Sequence, residues 1–391
     1  MNVLFTSSRL PVALDEIRKF GRAGHQVFAA DTFAAAPGSH SRYVVAHANV
    51  APPAFAPERF HRDLQQLIIG WHVDLVLPCF EEVFFLARRR TELSELAHLF
   101  ASDFALLAEL HDKARFNALA HALGIAAPAT IVAHSRDELV AALAVWPRYL
   151  ARPAYSRGGL EVVTNVGPLA GALAAADVEP TPLHPWIVQE FIDGIDVCSF
   201  AVAQHGRLML HCTYVHPRQI ENAGGIVFES VIDADALACA ERVVAATGYH
   251  GQLGFDFRRD SRGLVVLECN TRPTAGVHLV DDDALVGAVL ARRGRRPHIV
   301  PPGRQRLYAS ALVRDLLLHP FNVRDDVAYL RSDARDIYAE DGDRMPALYQ
   351  FLSYAQVLGY LRRHRHAAAR AGTTLMAAYF DGIVWDGDPI G

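Results

Sequence analysis

The sequence predicts an α/β protein that begins with a doubly wound parallel sheet and continues into antiparallel hairpins packed with helices. Two observations predict this fold class. Residues 2–6, 11–23 and 26–31 follow the pattern strand, helix, strand, which is a β-α-β unit and implies parallel strands. After about residue 105, short glycine-containing turns connect strand-like runs, as in β-hairpins. The 391 residues are too many for one ordinary core and suit two or three domains.

The remaining elements of the parallel sheet follow in order. A helix at about 58–70 leads into a strand at 73–78. A loop and a further helix come next, with Glu81 and Glu82 favourably placed in its first turn. The loop at residues 6–8 lies at the carboxyl end of the first strand, where such sheets usually bind ligands. Because the chain here lacks a Gly-x-Gly-x-x-Gly sequence, we do not predict a dinucleotide site.

The middle of the chain is predicted to hold helices and antiparallel pairs. Asp112 is a plausible cap for its first helix, and Gly124 is a plausible end. The predicted elements are a helix at 112–123, a helix at 136–145, a hairpin around the turn 156–159, strands on either side of 193–194, a hairpin at 205–206, a helix at 234–247 and a hairpin over 251–270. From about residue 300 the chain is ordered-looking and aromatic, with a helix at about 346–370.

The last hairpin ends in polar residues. Glu268, Asn270 and Arg272 are spaced two apart and can project from the same face of the strand end, and Asp256 lies on the partner strand. Carboxylate and amide oxygens suit Mg²⁺, which is usually held by one or two carboxylates and substrate phosphates. A strand that runs out into solvated loop, or a salt-bridged hairpin with Arg258 or Arg272, explains the same residues and stays open at this point.

Composition excludes several classes of protein. The formal net charge of −5 argues against a nucleic-acid binder. The five cysteines form no Cys-x-x-Cys pair, so we expect buried, reduced thiols in a cytoplasmic protein. The N-terminus lacks the pattern of a signal peptide, and no apolar run is long enough for a membrane helix.

Lysine is nearly absent, and this makes the remaining lysines informative. Lys19 and Lys113 are the only lysines among the 38 basic residues, and the others are arginines. A lysine kept in such a chain is there by chance or because its compact point charge is needed. Lys113, Arg152 and the glycine turn at 156–159 could all meet phosphate oxygens.

Taken in order, these motifs resemble those of the ATP-grasp superfamily over roughly residues 105–285. The order is a helix led by lysine, a strand with a basic residue before a glycine-rich hairpin, a Gln-Glu-Phe-Ile hinge, and then Asp…Glu-x-Asn. The stretch Glu-x-Asn-Thr-Arg is similar to that of biotin carboxylase, and Glu-x-Asn-x-Arg to that of carbamoyl phosphate synthetase. The resemblance implies a Rossmann-like pre-ATP-grasp domain at 1–105, an ATP-grasp domain at 106–300 with its lid at about 125–188, and a C-terminal extension at 301–391 without an assigned role.

The resemblance also implies roles for individual residues. Lys113 matches a nucleotide-phosphate lysine, and Arg152 stands where the family usually has a second lysine. Asp196 stands where a family glutamate takes the ribose hydroxyls. Arg272 matches the arginine that anchors the acyl phosphate, and Arg218 is a second candidate for the acceptor carboxylate. The remaining matches are the phosphate loop (Ser156, Arg157, Gly158, Gly159), the adenine hinge (Gln189, Glu190, Phe191, Ile192) and the Mg²⁺ ligands (Asp256, Glu268, Asn270).

The activity implied by the resemblance is an ADP-forming ligase. It would use ATP and Mg²⁺, which Mn²⁺ could replace, to join a small carboxylate such as an amino acid or short peptide to an amine. A carboxylating or carbamoyl-phosphate-type enzyme and a nucleotide-binding protein without turnover are the alternatives. The expected partners are small molecules, with neither nucleic acid nor membrane, and a homodimer is left open.

Overall fold

A computed structural model describes residues 1–157, 161–220, 224–292, 294, 296–318, 323–363 and 375–390. Its first layer is a five-stranded parallel sheet with strand order β3-β2-β1-β4-β5. Strand β1 pairs in parallel with both β2 and β4, which places the β1 loop at the centre of the sheet's carboxyl edge. The elements are β1 Asn2–Phe5, α1 Pro11–Arg22, β2 Gln26–Asp31, β3 Val44–Asn49, α2 Pro57–Gly70, β4 Leu75–Leu77, α3 Glu82–Arg88, α4 Arg90–Ser94 and β5 His98–Leu99.

A small antiparallel sheet with strand order β6-β9-β7-β8 follows. Helix α6 leads into it and begins at Lys113, because the Asp112 side chain accepts hydrogen bonds from the free N–H groups of Ala114 and Arg115. The elements are α5 Phe104–His111, α6 Lys113–Ala122, β6 Thr130–Ala133, α7 Arg136–Leu143, β7 Tyr149–Pro153, β8 Val163–Thr164 and β9 Trp186–Glu190.

The largest layer is an eight-stranded sheet with the path β14-β13-β10-β11-β12-β16-β17, to which β15 adds by pairing with β11. Its strands are β10 Ile195–Gln204, β11 Arg207–Ile220, β12 Gly224–Val231, β13 Gly251–Asp260, β14 Gly263–Asn270, β15 His298–Ile299, β16 Gln305–Leu307 and β17 Arg335–Asp336. The associated helices are α8 Ala234–Thr247, α9 Asp282–Val289, α10 Ala309–Leu318, α11 Val323–Leu330, α12 Met345–Arg363 and α13 Leu375–Phe380.

Two hydrophobic clusters cover the two faces of this sheet. Phe255 and Leu253 pack on one face with α8, whereas Phe200 and Cys212 pack on the other with the 3₁₀ helix Ala275–Leu279 and the first sheet. Gly254 lies between strands, where an added Cβ would be 2.6 Å from the Ser199 carbonyl oxygen. All five cysteines are buried and free, as predicted. Within the described residues, no helix is long and apolar enough to cross a membrane.

Candidate active site

The predicted metal ligands lie on paired strands. In the antiparallel register of β13 and β14, Asp256 is opposite Glu268 and Gly254 is opposite Asn270. The Asn270 amide donates to Asp256 Oδ2 at 3.0 Å, and Arg272 Nη2 donates to Asn270 Oδ1 at 3.0 Å. The structure therefore brings Asp256, Glu268, Asn270 and Arg272 into one connected group at the end of the hairpin.

Two cations from other elements reach the same carboxylate. Arg152, on β7 of the small sheet, donates from Nη1 to Glu268 Oε2 at 2.7 Å. Lys113, at the start of α6, has its Nζ 3.6 Å from that oxygen. Its side chain is 2% exposed, so this charge is inside the protein. The site is thus assembled from the small sheet, the lysine helix and the large sheet.

Burial and neighbouring charges shift the pKa values of these groups in different directions. Removal from water raises the pKa of Asp256, and the nearby Glu268 raises it further. Removal from water also opposes the charged form of Glu268, but Lys113 and Arg152 outweigh it and hold its pKa well below the usual range. Burial lowers the pKa of Lys113 to about 8, against the opposing effect of Glu268. Two carboxyl groups with separated pKa values therefore share this site.

The donor set suits a hard divalent cation. Asp256 and Glu268 face one another closely enough to share a hydrogen bond, an arrangement in which a cation could replace the shared proton. Within the described residues, no three His, Cys, Asp or Glu side chains group into a metal site. The two carboxylates and the Asn270 oxygen would leave further coordination positions to phosphates and water, which is how Mg²⁺ is usually held.

The predicted phosphate loop is described only in part, because Gly158 and Gly159 lie outside the described residues. Ser156 is close to the cation cluster, since its carbonyl oxygen accepts from Lys113 Nζ at 2.5 Å. Arg157 is turned toward the first sheet, where its Nε donates to Glu81 Oε1 at 2.9 Å.

The predicted adenine hinge, residues 189–192, begins with the last two residues of β9 and leads toward β10 of the large sheet. Gln189 is buried and donates to Thr130 Oγ1 at 2.9 Å, and Ile192 is also buried. The Phe191 ring contacts two guanidinium groups, with its centroid 4.9 Å from Cζ of Arg148 and 5.6 Å from Cζ of Arg258.

Two polar members of the predicted nucleotide site are already engaged near the hinge. Glu190 Oε1 accepts from the Ala129 N–H at 3.2 Å. Asp196 is 2.8 Å from Arg258 Nε, in an ion pair that ribose hydroxyls would have to share.

Arg218 is not brought to this group. An irregular register in β11 places Arg218 opposite Val227 of β12. The next residue of β12, Phe228, contacts the Tyr214 ring. Through the pairing of β11 with β10 and of β10 with β13, Tyr214 lies on the same face of the sheet as Asp256. Because neighbouring residues on a strand point to opposite faces, the Arg218 side chain leaves by the other face. There its Nε donates to Asp326 Oδ1 at 2.8 Å, and its Nη2 pairs with Asp315.

Sequence reasoning did not assign two neighbours of the site. Phe80 lies under Arg272, with the guanidinium carbon 4.6 Å from the ring centroid. Glu81 binds Arg157 across 76 positions of sequence. Both residues follow strand β4 at the carboxyl edge of a parallel sheet, where ligands usually bind. This position in the sequence could have indicated that they lie near the site. No sequence signal indicated that Trp385 and Asp386 would also contact Arg157.

Comparison with known proteins agrees with this architecture. Residues 112–276 match the family model described as an ATP-grasp domain. No curated protein matches the chain in sequence.

Solved structures with the same fold share little sequence with the chain. An N5-carboxyaminoimidazole synthetase from Staphylococcus aureus, complexed with ADP, is 14% identical with a TM-score of 0.58, covering 82% of this chain and 85% of that one. An L-amino acid ligase from Bacillus licheniformis is 15% identical with a TM-score of 0.56, covering 76% and 77%. The biotin carboxylase domain of a Hydrogenobacter thermophilus 2-oxoglutarate carboxylase is 13% identical with a TM-score of 0.56, covering 76% and 71%.

The predicted fold, an ATP-grasp fold behind a Rossmann-like domain, is confirmed by the family match and by the sheets described above. The chain therefore contains an ATP-grasp domain, which the family model matches over residues 112–276.

Proposed function

We propose that the protein is an ATP-dependent ligase that activates a small carboxylate as an acyl phosphate and joins it to an amine. The observation that carries this proposal is the meeting of Lys113 and Arg152, from two different elements, with Glu268 on a third. This arrangement concentrates cations beside a carboxylate pair inside the ATP-grasp domain. A polyphosphate with a divalent cation would satisfy both kinds of charge at once.

Each group has a specific task in this proposal. Lys113, Arg152 and Arg157 bind the phosphates of ATP, and the hinge at 189–192 holds the adenine. Asp256, Glu268 and Asn270 hold Mg²⁺, which supplies charge neutralisation at the phosphates. Arg272 binds the oxygens of the activated carboxylate, and the Phe80 ring beneath it restricts the orientation of the guanidinium.

The reaction then proceeds in two displacements. A carboxylate oxygen of the substrate attacks the γ-phosphorus of ATP, and the bond to the β–γ bridging oxygen breaks to release ADP. The amine attacks the acyl carbon, and the C–O bond to phosphate breaks as the nitrogen loses a proton to solvent. The cations lower both barriers by positioning the groups and stabilising charge that develops on oxygen. No side-chain nucleophile is required.

The substrate class follows by analogy from similar proteins. One structurally similar protein is an L-amino acid ligase, which supports an amino acid or short peptide as the acyl donor. The carboxylating alternative is supported by the synthetase and biotin carboxylase structures and by the Glu-x-Asn-Thr-Arg sequence. In that alternative bicarbonate takes the place of the organic carboxylate.

The test is ADP release from Mg·ATP with amino acids, dipeptides and bicarbonate, alone and in pairs. Glu268→Gln protein is the blank, because it keeps the side-chain shape and removes the charge that Lys113 and Arg152 neutralise. Release that requires a carboxylate together with an amine, and that the variant lacks, supports the ligase. Release with bicarbonate as the only carboxylate favours the carboxylating enzyme. Binding of Mg·ATP without ADP release in any combination would favour a nucleotide-binding protein without turnover.

A further inference from the structure

The C-terminal segment, residues 383–390, lies between the first sheet and the small sheet. Trp385 is 5% exposed, and its ring centroid is 4.6 Å from that of Phe84 and 5.3 Å from that of Tyr155. Gly387 follows at a left-handed φ of 92°, where a Cβ would lie 2.6 Å from the Tyr155 ring. The segment is therefore closely packed where the chain approaches the predicted phosphate loop.

Arg157 is the point where this segment contacts the candidate site. Its Nη2 donates to the Trp385 carbonyl oxygen at 3.0 Å and to Asp386 Oδ1 at 2.6 Å. Its Nε donates to Glu81 Oε1 at 2.9 Å, and the other oxygen of Glu81 accepts from the Trp385 N–H at 3.1 Å. Glu81 and the C-terminal segment thus hold one side of the guanidinium together.

The contacts described above do not use every N–H donor of the Arg157 guanidinium. Arginine carries five N–H donors, and these contacts account for the one on Nε and the pair on Nη2. Among the residues that the structure describes, Nη1 has no hydrogen-bond partner. Arg157 is therefore fixed along one edge and offers two donors from Nη1, which is the geometry suited to binding an anion.

Charge favours a rigid arrangement of these groups. Glu81 is 1% exposed, and although burial opposes its charged form, Arg157 lowers its pKa to about 2. Burial likewise opposes the charged form of Arg157, but the carboxylates of Glu81 and Asp386 outweigh it and raise the pKa of Arg157. A buried, ionised pair with shared hydrogen bonds has few alternative conformations, so Arg157 is oriented before a ligand arrives.

We propose that Glu81 and the C-terminal segment, through Asp386 and the Trp385 carbonyl, are positioning residues that hold Arg157 so that Nη1 meets the outer phosphates of ATP. This inference rests on the proposed function and gives the C-terminal segment a role in nucleotide selection. The segment does not touch the nucleotide in this arrangement. It acts through Arg157, and its effect is confined to ligands that carry β- and γ-phosphates.

The experiment compares Asp386→Ala with Asp388→Ala. Asp388 is a matched control because it lies in the same segment and its side chain pairs with His184 instead of Arg157. Dissociation constants for Mg·ATP and for AMP are measured by calorimetry on the full-length protein. We expect Asp386→Ala to weaken Mg·ATP about tenfold, with AMP changed less than twofold, and Asp388→Ala to change neither. Asp386→Glu is expected to restore most of the loss, and Glu81→Gln to reproduce it.

Three outcomes would overturn the positioning role. Tighter binding of Mg·ATP by Asp386→Ala would show that the carboxylate competes with phosphate for Arg157. An equal loss of ATP and AMP affinity would show a general structural effect, and unchanged affinity would show that the contact is irrelevant to the nucleotide. If the unmodified protein binds no ATP, the proposed function fails with it. If it binds ATP normally and Asp386→Ala behaves identically, only the positioning role fails.

Discussion

Replacing Glu16 with glutamine is expected to stabilise the protein at neutral pH. Glu16 lies on α1 and is 1% exposed, in the contact between the first sheet and the large one. Its Oε2 accepts from Gln252 Nε2 at 3.1 Å, and its buried Oε1 has no hydrogen-bond partner in the part of the chain that the structure describes. A carboxylate with so few hydrogen bonds is costly to ionise inside a protein.

The magnitude follows from the pKa of this group. Burial raises the pKa of Glu16 from 4.5 to about 8, against the opposing effects of Gln252 and Lys19. Between these values the unfolded chain has released its proton and the folded chain has kept it, so unfolding becomes more favourable as pH rises. Each pH unit costs about 1.4 kcal/mol of unfolding free energy, which amounts to roughly 3 kcal/mol by pH 7. Glutamine is neutral at every pH and avoids this cost.

The assay is urea denaturation of wild-type and Glu16→Gln protein at pH 5, 6, 7 and 8. We expect the variant to be nearly equal to wild type at pH 5 and progressively more stable above it, with the difference levelling off near pH 8. Exposed Glu95 provides a control substitution, Glu95→Gln, that leaves the buried carboxyl in place. A stability difference that stays constant from pH 5 to pH 8 would refute the reasoning, since it would mean that Glu16 ionises equally in both states.

Other substitutions test the site and its support. Arg152→Lys keeps a positive charge beside Glu268 but replaces the planar guanidinium with a compact ammonium group. We therefore expect calorimetry to show that Arg152→Lys weakens Mg·ATP binding less than about tenfold. Arg152→Met removes the charge, and we expect it to weaken Mg·ATP binding more than Arg152→Lys does. Arg218→Ala removes the cation that pairs with the buried Asp326 and with Asp315, so we expect a loss of about 3 kcal/mol in urea denaturation with ATP affinity unchanged. Reduced ADP release at unchanged stability would instead return Arg218 to the acceptor site. Gly254→Ala would place a Cβ 2.6 Å from the Ser199 carbonyl oxygen, and we expect a loss of about 2 kcal/mol, which an unchanged denaturation midpoint would contradict.

The parts of the fold that sequence predicted well depend on local signals. The helix at Lys113 is set by its Asp112 cap, and the hairpin over 251–270 by alternation around a short turn. The same period of two predicted that Asn270 and Arg272 would project together, and their side chains do share a hydrogen bond.

The parts that sequence did not reveal depend on distant contacts or on backbone irregularity. The direction of Arg218 is decided by an irregular register in β11, which residue types alone do not encode. Strands β16 and β17 are three and two residues long, too short for a periodic pattern, yet they extend the large sheet. The predicted division at residue 300 stays a prediction, and strands from both sides of it share this sheet.

The contact between Arg9 and Tyr379 has a consequence for the order of events during synthesis. Arg9 Nη1 donates to the Tyr379 carbonyl oxygen at 3.0 Å, across 370 positions of sequence. At about 5–20 residues per second, a ribosome needs roughly 20–70 s to make the chain between them. Through that interval the nascent first sheet already has the Asp31 partner of Arg9 but lacks the aromatic cover that Tyr379 provides. This face around Phe33 is therefore covered by Tyr379 only after that residue has been made.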